Sequence, residues 1–295
     1  MWNKATDAEE SFRNKAIWGS AAAVVVVIAG IGAYYHYYGQ SGAAPAEKAQ
    51  ETRPPLPPPA TADNGGIEHP IPAASADSTP LPALNESDSV VHDSLVGLID
   101  QKSVESFLVP ENIIRHIVVT IDNLPRKKVA VDLRPIKPTP GQTLVANQGD
   151  MSTLSDANYE RYVPFIHVVE STDPKILATV YFHLYPLFQQ AYEDLGYPGR
   201  FFNDRLVAVI DHLLATPDVQ APIEVAQPKV FYQYVDPKLE DLSAGQKLLI
   251  RMGPANEQSL QAKLRDFRAE IVQSSPGSAP SSNRPQAVDE RSRGR

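Results

Sequence analysis

Apolar and polar residues follow three different patterns along this chain. The first is an unbroken apolar run. Residues 16–38 read AIWGSAAAVVVVIAGIGAYYHYY and contain no Asp, Glu, Lys or Arg. About 20 apolar residues at ~1.5 Å each match the ~30 Å hydrocarbon core of a bilayer. A helix is the structure that satisfies its own backbone inside lipid. Trp18 lies at one end and Tyr34, Tyr35, Tyr37 and Tyr38 at the other, where amphipathic rings favour the interface. The pattern predicts one transmembrane helix. The competing reading is a cleaved signal peptide with Ala44-Pro45-Ala46 as its small-x-small site. The run is longer than the usual apolar core of a signal peptide, which favours a permanent anchor.

The second pattern is the absence of any period. Residues 39–87 are dominated by Ala, Pro and small polar residues, with PPLPPP at 54–59. Such a composition buries too little apolar surface to offset chain entropy. The expectation is a disordered tether, locally polyproline II where prolines cluster. A proline-rich ligand for a partner's groove is the sharper alternative.

Helical periodicity fills the third part, residues 88–272. Val91, Leu95, Leu98 and Ile99 share a face after Asp88 or Ser89 as cap. Pro110 is placed to open the next helix, whose stripe is Ile113, Ile114, Ile117, Val118 and Ile121. Residues 129–133 alternate weakly and suggest a short strand, and 135–149 read as a loop. Tyr159, Tyr162, Val163 and Ile166 share a face that Pro164 should split. Asp173-Pro174 caps and opens a long helix lined by Leu177, Val180, Tyr181, Leu184, Phe188, Ala191 and Leu195. After the turn at 196–199, Phe202, Leu206, Val209, Ile210, Leu213 and Leu214 line another. Val230, Tyr232 and Tyr234 alternate as a strand. A helix follows from about Ser243 to Met252, stopped by Gly253, and a last one carries Leu260, Leu264, Phe267 and Ile271. Residues 273–295, rich in Ser, Pro and Arg, read as a disordered tail. The fold class expected is mainly α: a helical bundle-like domain with one or two short β-strands, preceded by the span and the tether.

Charge orients the anchor. Arg13 and Lys15 precede the run and no cation follows it until Lys48. Positive flanks stay cytoplasmic, so residues 1–15 are expected inside and the domain in the periplasm. Ala29 and Ala33, one turn apart, leave room for a second copy of the helix, a weak signal for a homo-oligomer. The net charge of −8 without a basic stripe argues against nucleic acid as a partner. The chain has no cysteine, which excludes disulfides, thiolate metal sites and a thiol nucleophile.

Several phrases are familiar in this order: SDANYERY (155–162), LGYP (195–198), FNDRL (202–206), IDHLL (210–214), LSAGQK (242–247) and RMG (251–253). The chain resembles an uncharacterised bacterial family, domain of unknown function 3014. The resemblance covers about residues 88–271. It implies an envelope protein of Gram-negative bacteria with one N-terminal span and a mainly helical outer domain. It brings no activity and no site residue with it.

Catalytic signatures are missing: no glycine-rich phosphate loop, no H-E-x-x-H, no G-x-S-x-G. Ser243/Lys247 and Ser171/Lys175 have dyad spacing, but a cap serine beside a solvated lysine explains each pair. His116, His167, His183 and His212 fall on separate helices without ligand spacing, so no metal or cofactor is expected. The candidate ligand-binding residues are Arg200, Asn203, Asp204, Arg205 and His212, clustered at and after a helix start whose N–H groups favour anions. The bland reading of the same cluster is local ion pairing that braces the LGYP turn. Tyr159, Tyr162, Tyr192, Tyr197, Tyr232 and Tyr234 would serve an interaction surface wherever they are exposed. The functional expectation is a membrane-anchored binding or scaffolding module that reaches an envelope protein partner. The alternative is an envelope hydrolase with its polar site near residues 200–212.

Overall fold

The computed structural model describes residues 66–72, 80–228 and 231–273. The expected N-terminal segment and span at 1–38, residues 39–65 and 73–79 of the expected tether, and all but the first residue of the expected tail at 273–295 lie outside them. Among the described residues no helix is long and apolar enough to cross a membrane.

Ten α-helices follow one another among the described residues: α1 (Asp88–Ile99), α2 (Gln101–Phe107), α3 (Ile113–Asn123), α4 (Asp156–Glu160), α5 (Val163–Ser171), α6 (Pro174–Asp194), α7 (Phe202–Leu214), α8 (Pro237–Glu240), α9 (Ala244–Met252) and α10 (Pro254–Gln273). The strands are β1 (Val145–Gln148), β2 (Met151–Leu154), β3 (Glu224–Ala226) and β4 (Gln233–Tyr234). They form one antiparallel sheet in the order β1-β2-β3-β4. The domain is mainly helical, as its periodicity implies, but it carries four strands rather than one or two.

The sequence places the helix boundaries through its caps. Asp173 accepts N–H from Lys175 (2.8 Å) and Ile176 (3.3 Å), and Pro174 follows at the first turn of α6. Ser243 and Gln246 make a capping box on α9. Gly253 ends α9 at φ 86°, and a Cβ there would lie 2.4 Å from the Tyr159 ring, so only glycine fits. Pro164 separates α4 from α5.

Three sequence expectations give way. Pro110 does not open α3. The carboxylate of Asp88 instead accepts N–H from Asn112 and Ile113 (2.8 Å each), so it caps α3 across space rather than its own helix. Residues 129–133 form no strand; Val131–Leu133 is a 3₁₀ turn. Part of the stretch read as a loop, Val145–Gln148, pairs with Met151–Leu154 across a tight turn at Gly149 (φ 63°). Strands this short leave no usable period in sequence.

α6 is the axis of the core, packed by α1, α3, α7 and α10. Tyr181 sits in its middle with ring centroids 5.6 Å from Phe188 and 6.0 Å from Phe267. Phe188 stacks on Phe202 at 5.5 Å. The apolar stripes of α3, α7 and α10 are buried together here. A smaller core of Leu154, Ile223, Val225, Tyr234 and Ile250 lies under the sheet. α9, buried along its whole length, joins the two cores, with Leu248, Leu249 and Met252 in the larger and Ile250 in the smaller.

The described part of the expected tether is not separate from this body. Leu84 and Ser87 are buried, and Ile71 and Leu81 pack against the main core.

Candidate binding site

The five candidate residues around the start of α7 do not converge on one pocket. Asn203 is fully buried; its Oδ1 accepts the Tyr181 hydroxyl (3.0 Å) and its Nδ2 donates to the His69 carbonyl (2.7 Å). Asp204 accepts N–H from His69 (2.7 Å) and Glu68 (3.3 Å). Both side chains therefore hold a stretch of the chain's own backbone.

Arg205 points elsewhere. Its Nε donates to Asp122 Oδ1 (2.9 Å) and its Nη2 to the Asp122 carbonyl (2.7 Å). Arg126 meets Asp122 Oδ2 at 2.5 Å, and the Tyr197 hydroxyl donates to the same oxygen (3.1 Å). The Asp122 side chain is only 5% exposed. Tyr197 belongs to the LGYP turn, so this network ties the turn to α3 and α7. Burial, then the Asp122 charge, pushes the Tyr197 phenol above its ordinary value.

Arg200 is exposed, and its carbonyl accepts from Gln189 Nε2 (2.8 Å). Gln189 also accepts the Phe202 N–H (2.9 Å), so it braces the entry to α7. His212 sits near the other end of the helix. Its Nε2 lies 2.8 Å from Ser243 Oγ, and burial followed by the Arg205 charge lowers its pKa, favouring the neutral ring. Ser243 Oγ also accepts the Gln246 N–H (3.2 Å), as a cap does. Lys247 is not the solvated lysine of the sequence reading: it is buried and donates to Glu240 Oε1 (2.8 Å) and the Glu240 carbonyl (3.0 Å). Among the described residues no group of three or more His, Asp or Glu could hold a metal ion.

A site that periodicity did not mark lies between α2, α5, α9 and residues 136–140. It is a cavity of about 360 Å³, lined mainly by apolar groups of Phe107, Ile136, Pro138, Phe165, Leu248 and Met252. Its wall is a proline-rich strip held by a bridge between Leu108 and Ile136 and by the bonds Val109 N–H to Pro135 O (2.8 Å) and Lys137 N–H to Phe107 O (2.7 Å). Arg161 clamps the strip's end, donating to Pro140 O (3.0 Å) and Gly141 O (2.7 Å) from Nη2 and to Asn158 Oδ1 (2.9 Å) from Nη1. Phe107 and Phe165 meet edge to face at 6.0 Å. The signal available in sequence is the close spacing of Pro135, Pro138 and Pro140 around Ile136, which makes the strip stiffer and more apolar than an ordinary surface loop.

The model of the family described as protein of unknown function (DUF3014) matches residues 113–268. The chain belongs to the DUF3014 family. Comparison with curated proteins finds no match, and comparison with solved structures finds none either. The DUF3014 match runs from the start of α3 into α10. It takes in the Asp122–Arg205 network and most of the cavity lining, while Ser106, Phe107 and the segment at Glu68 and His69 lie before it.

One carboxyl of the DUF3014 domain is held unusually. Glu257, in the first turn of α10, has its pKa raised to about 7, first by burial and then by the charge of Asp218. Gln261 Nε2 donates to its Oε1 at 3.1 Å. The folded state thus keeps the proton where the unfolded chain has already released it. Its contribution to stability should fall as pH rises from the ordinary carboxylate range to about 7, and stay low above that. Glu257→Gln is expected to remove this decline and to raise the urea midpoint at pH 8 relative to the parent, with little change at pH 4.5. A parent midpoint that rises over the same window with no effect of the substitution would contradict it.

Proposed function

We propose that this DUF3014 protein is a single-pass, membrane-tethered binding module of the bacterial cell envelope, with its N-terminus cytoplasmic and its helical domain periplasmic. The charge-free run at 16–38 with Arg13 and Lys15 before it supports the anchor and its direction. The observation that carries the binding role is the cavity against the 136–140 strip. About 360 Å³ lined by Phe107, Phe165, Pro138 and Met252 has room for more than one aromatic or branched aliphatic side chain of an envelope protein. Lys137 and Arg161 at its lining favour a partner whose neighbouring residues are acidic. Tyrosine offers little exposed area here: among the described tyrosines Tyr162, which lines the cavity, Tyr181, Tyr185, Tyr192 and Tyr234 are buried, and the others are half-buried. A hydrolase site is less well supported, since neither His212 nor Ser243 lines the cavity.

The test uses an anilinonaphthalene sulfonate probe on a fragment covering residues 66–273. A saturable fluorescence gain at one site per domain is expected. Ser106 is exposed at the cavity edge, and Ser106→Trp should block it, weakening the probe at least ~10-fold with the melting temperature unchanged. Equal binding by the two proteins would remove the cavity as the site.

A further inference from the structure

Asn203 and Asp204 make a clamp for main chain, and its resident is residues 68–69. The side chains contribute three contacts to consecutive backbone groups: Asp204 takes the N–H of Glu68 and of His69, and Asn203 gives to the carbonyl of His69. Asn203 cannot swing away, because it is fully buried and its Oδ1 is engaged by Tyr181, itself buried at the centre of the core. The contacts read backbone only, so they hold the segment's position without depending on its side chains. Ile71, two residues on, packs against the main core and adds an apolar anchor. The two ends of this contact are more than 130 residues apart in sequence, so it closes a long loop at an entropic cost that the contacts must exceed.

We propose that the clamp is a latch on the tether, setting how far the domain can stand from the membrane; this rests on the membrane-anchor reading above. With the latch closed, the stretch between the span and the domain is residues 39–65, at most ~90 Å when fully extended. With it open, the next contacts with the core among the described residues are those of Leu81 and Leu84. The limit then becomes ~140 Å. A domain that must present its cavity to an envelope partner then has two reaches, set by three backbone contacts and the packing of Ile71.

The experiment uses the full chain in lipid vesicles with an acceptor dye on the headgroups. The chain has no native cysteine, so Lys175→Cys, exposed in the first turn of α6, takes a donor dye alone. Asp204→Ala removes the acceptor from the domain. Ile71→Asp removes the tether's apolar anchor without touching the domain, and it leaves the bond after Glu68 cleavable. Energy transfer should change in the same sense in both variants. Cleavage after Glu68 by a glutamate-specific protease should rise at least ~10-fold in both, since Asp204→Ala removes two hydrogen bonds to a charged group and Ile71→Asp removes an apolar contact with the core. Unchanged cleavage in both variants would overturn the latch. Raised cleavage with unchanged transfer would overturn its role in setting reach. If the parent fails to enter vesicles, the anchor reading fails, and cleavage after Glu68 alone decides whether the latch exists.

Discussion

Phe267→Ala is expected to cost the domain about 3–5 kcal/mol. Phe267 is fully buried on α10 and meets the Tyr181 ring edge to face at 6.0 Å. Its partners cannot close the gap. Tyr181 is held by its hydroxyl on Asn203, and Phe188 is held by its stack on Phe202. A site whose walls are fixed keeps its cavity, and the cost then includes the lost contacts as well as the lost transfer term. For a domain of this size the melting temperature should drop by roughly 10 °C. Leu264→Ala, one turn away and also fully buried, removes less volume and should cost about 2–4 kcal/mol. Thermal and urea unfolding of both variants would check the order. A Phe267→Ala loss under about 1 kcal/mol would mean that α10 is not part of the cooperative core.

The long helices were legible here because their stripes are long and their caps are local, whereas the short α2 and α8 were not read. The stripe Leu260, Leu264, Phe267 and Ile271 places α10, and all four side chains are fully buried. Asp173-Pro174 and Ser243 start α6 and α9 in the expected way, since an N-cap is read within four residues. What escaped is whatever depends on partners far along the chain. Asp88 looks like the cap of its own helix and in fact caps α3. The sheet needed Val225 to meet Ser152 and Tyr234, pairings that no short alternation announces. Residues 66–72 have a linker's composition, yet three contacts to Asn203 and Asp204 hold them against the domain.

The candidate residues show the same division. Clustering in sequence put Asn203, Asp204 and Arg205 together, but consecutive helical residues point about 100° apart and so face different partners. Asp204 meets the tether and Arg205 meets α3. The centre of the Arg205 network is Asp122, which was readable as one acidic residue at the edge of the apolar stripe of α3. The cavity was the least legible feature. Its lining comes from four separate stretches, and a Pro-rich strip gives no period to follow.

Asp122→Ala should be the most damaging polar substitution, at about 2–4 kcal/mol. The carboxylate receives Arg126, Arg205 and the Tyr197 hydroxyl while only 5% exposed. Removing it leaves two guanidinium groups facing each other with no anion between them. Breaking a fully buried pair costs ~3–5 kcal/mol, but the side chains of Arg126 and Arg205 are 34% and 28% exposed, so water recovers part of that. Arg205→Ala should cost less, because Asp122 keeps Arg126 and Tyr197. The double variant should therefore be more stable than the sum of the two single losses predicts, by about 1–2 kcal/mol, since the arginine stranded by Asp122→Ala is then absent. Strict additivity would mean that Asp122 and Arg205 stabilise the domain independently, and that the network does not brace the turn at Tyr197. The same series bears on ligand binding at the start of α7. If Arg205 instead serves an anionic partner, Arg205→Ala would abolish partner binding at an unchanged melting temperature, whereas a bracing residue lowers the melting temperature and leaves the cavity's affinity for its probe within about twofold.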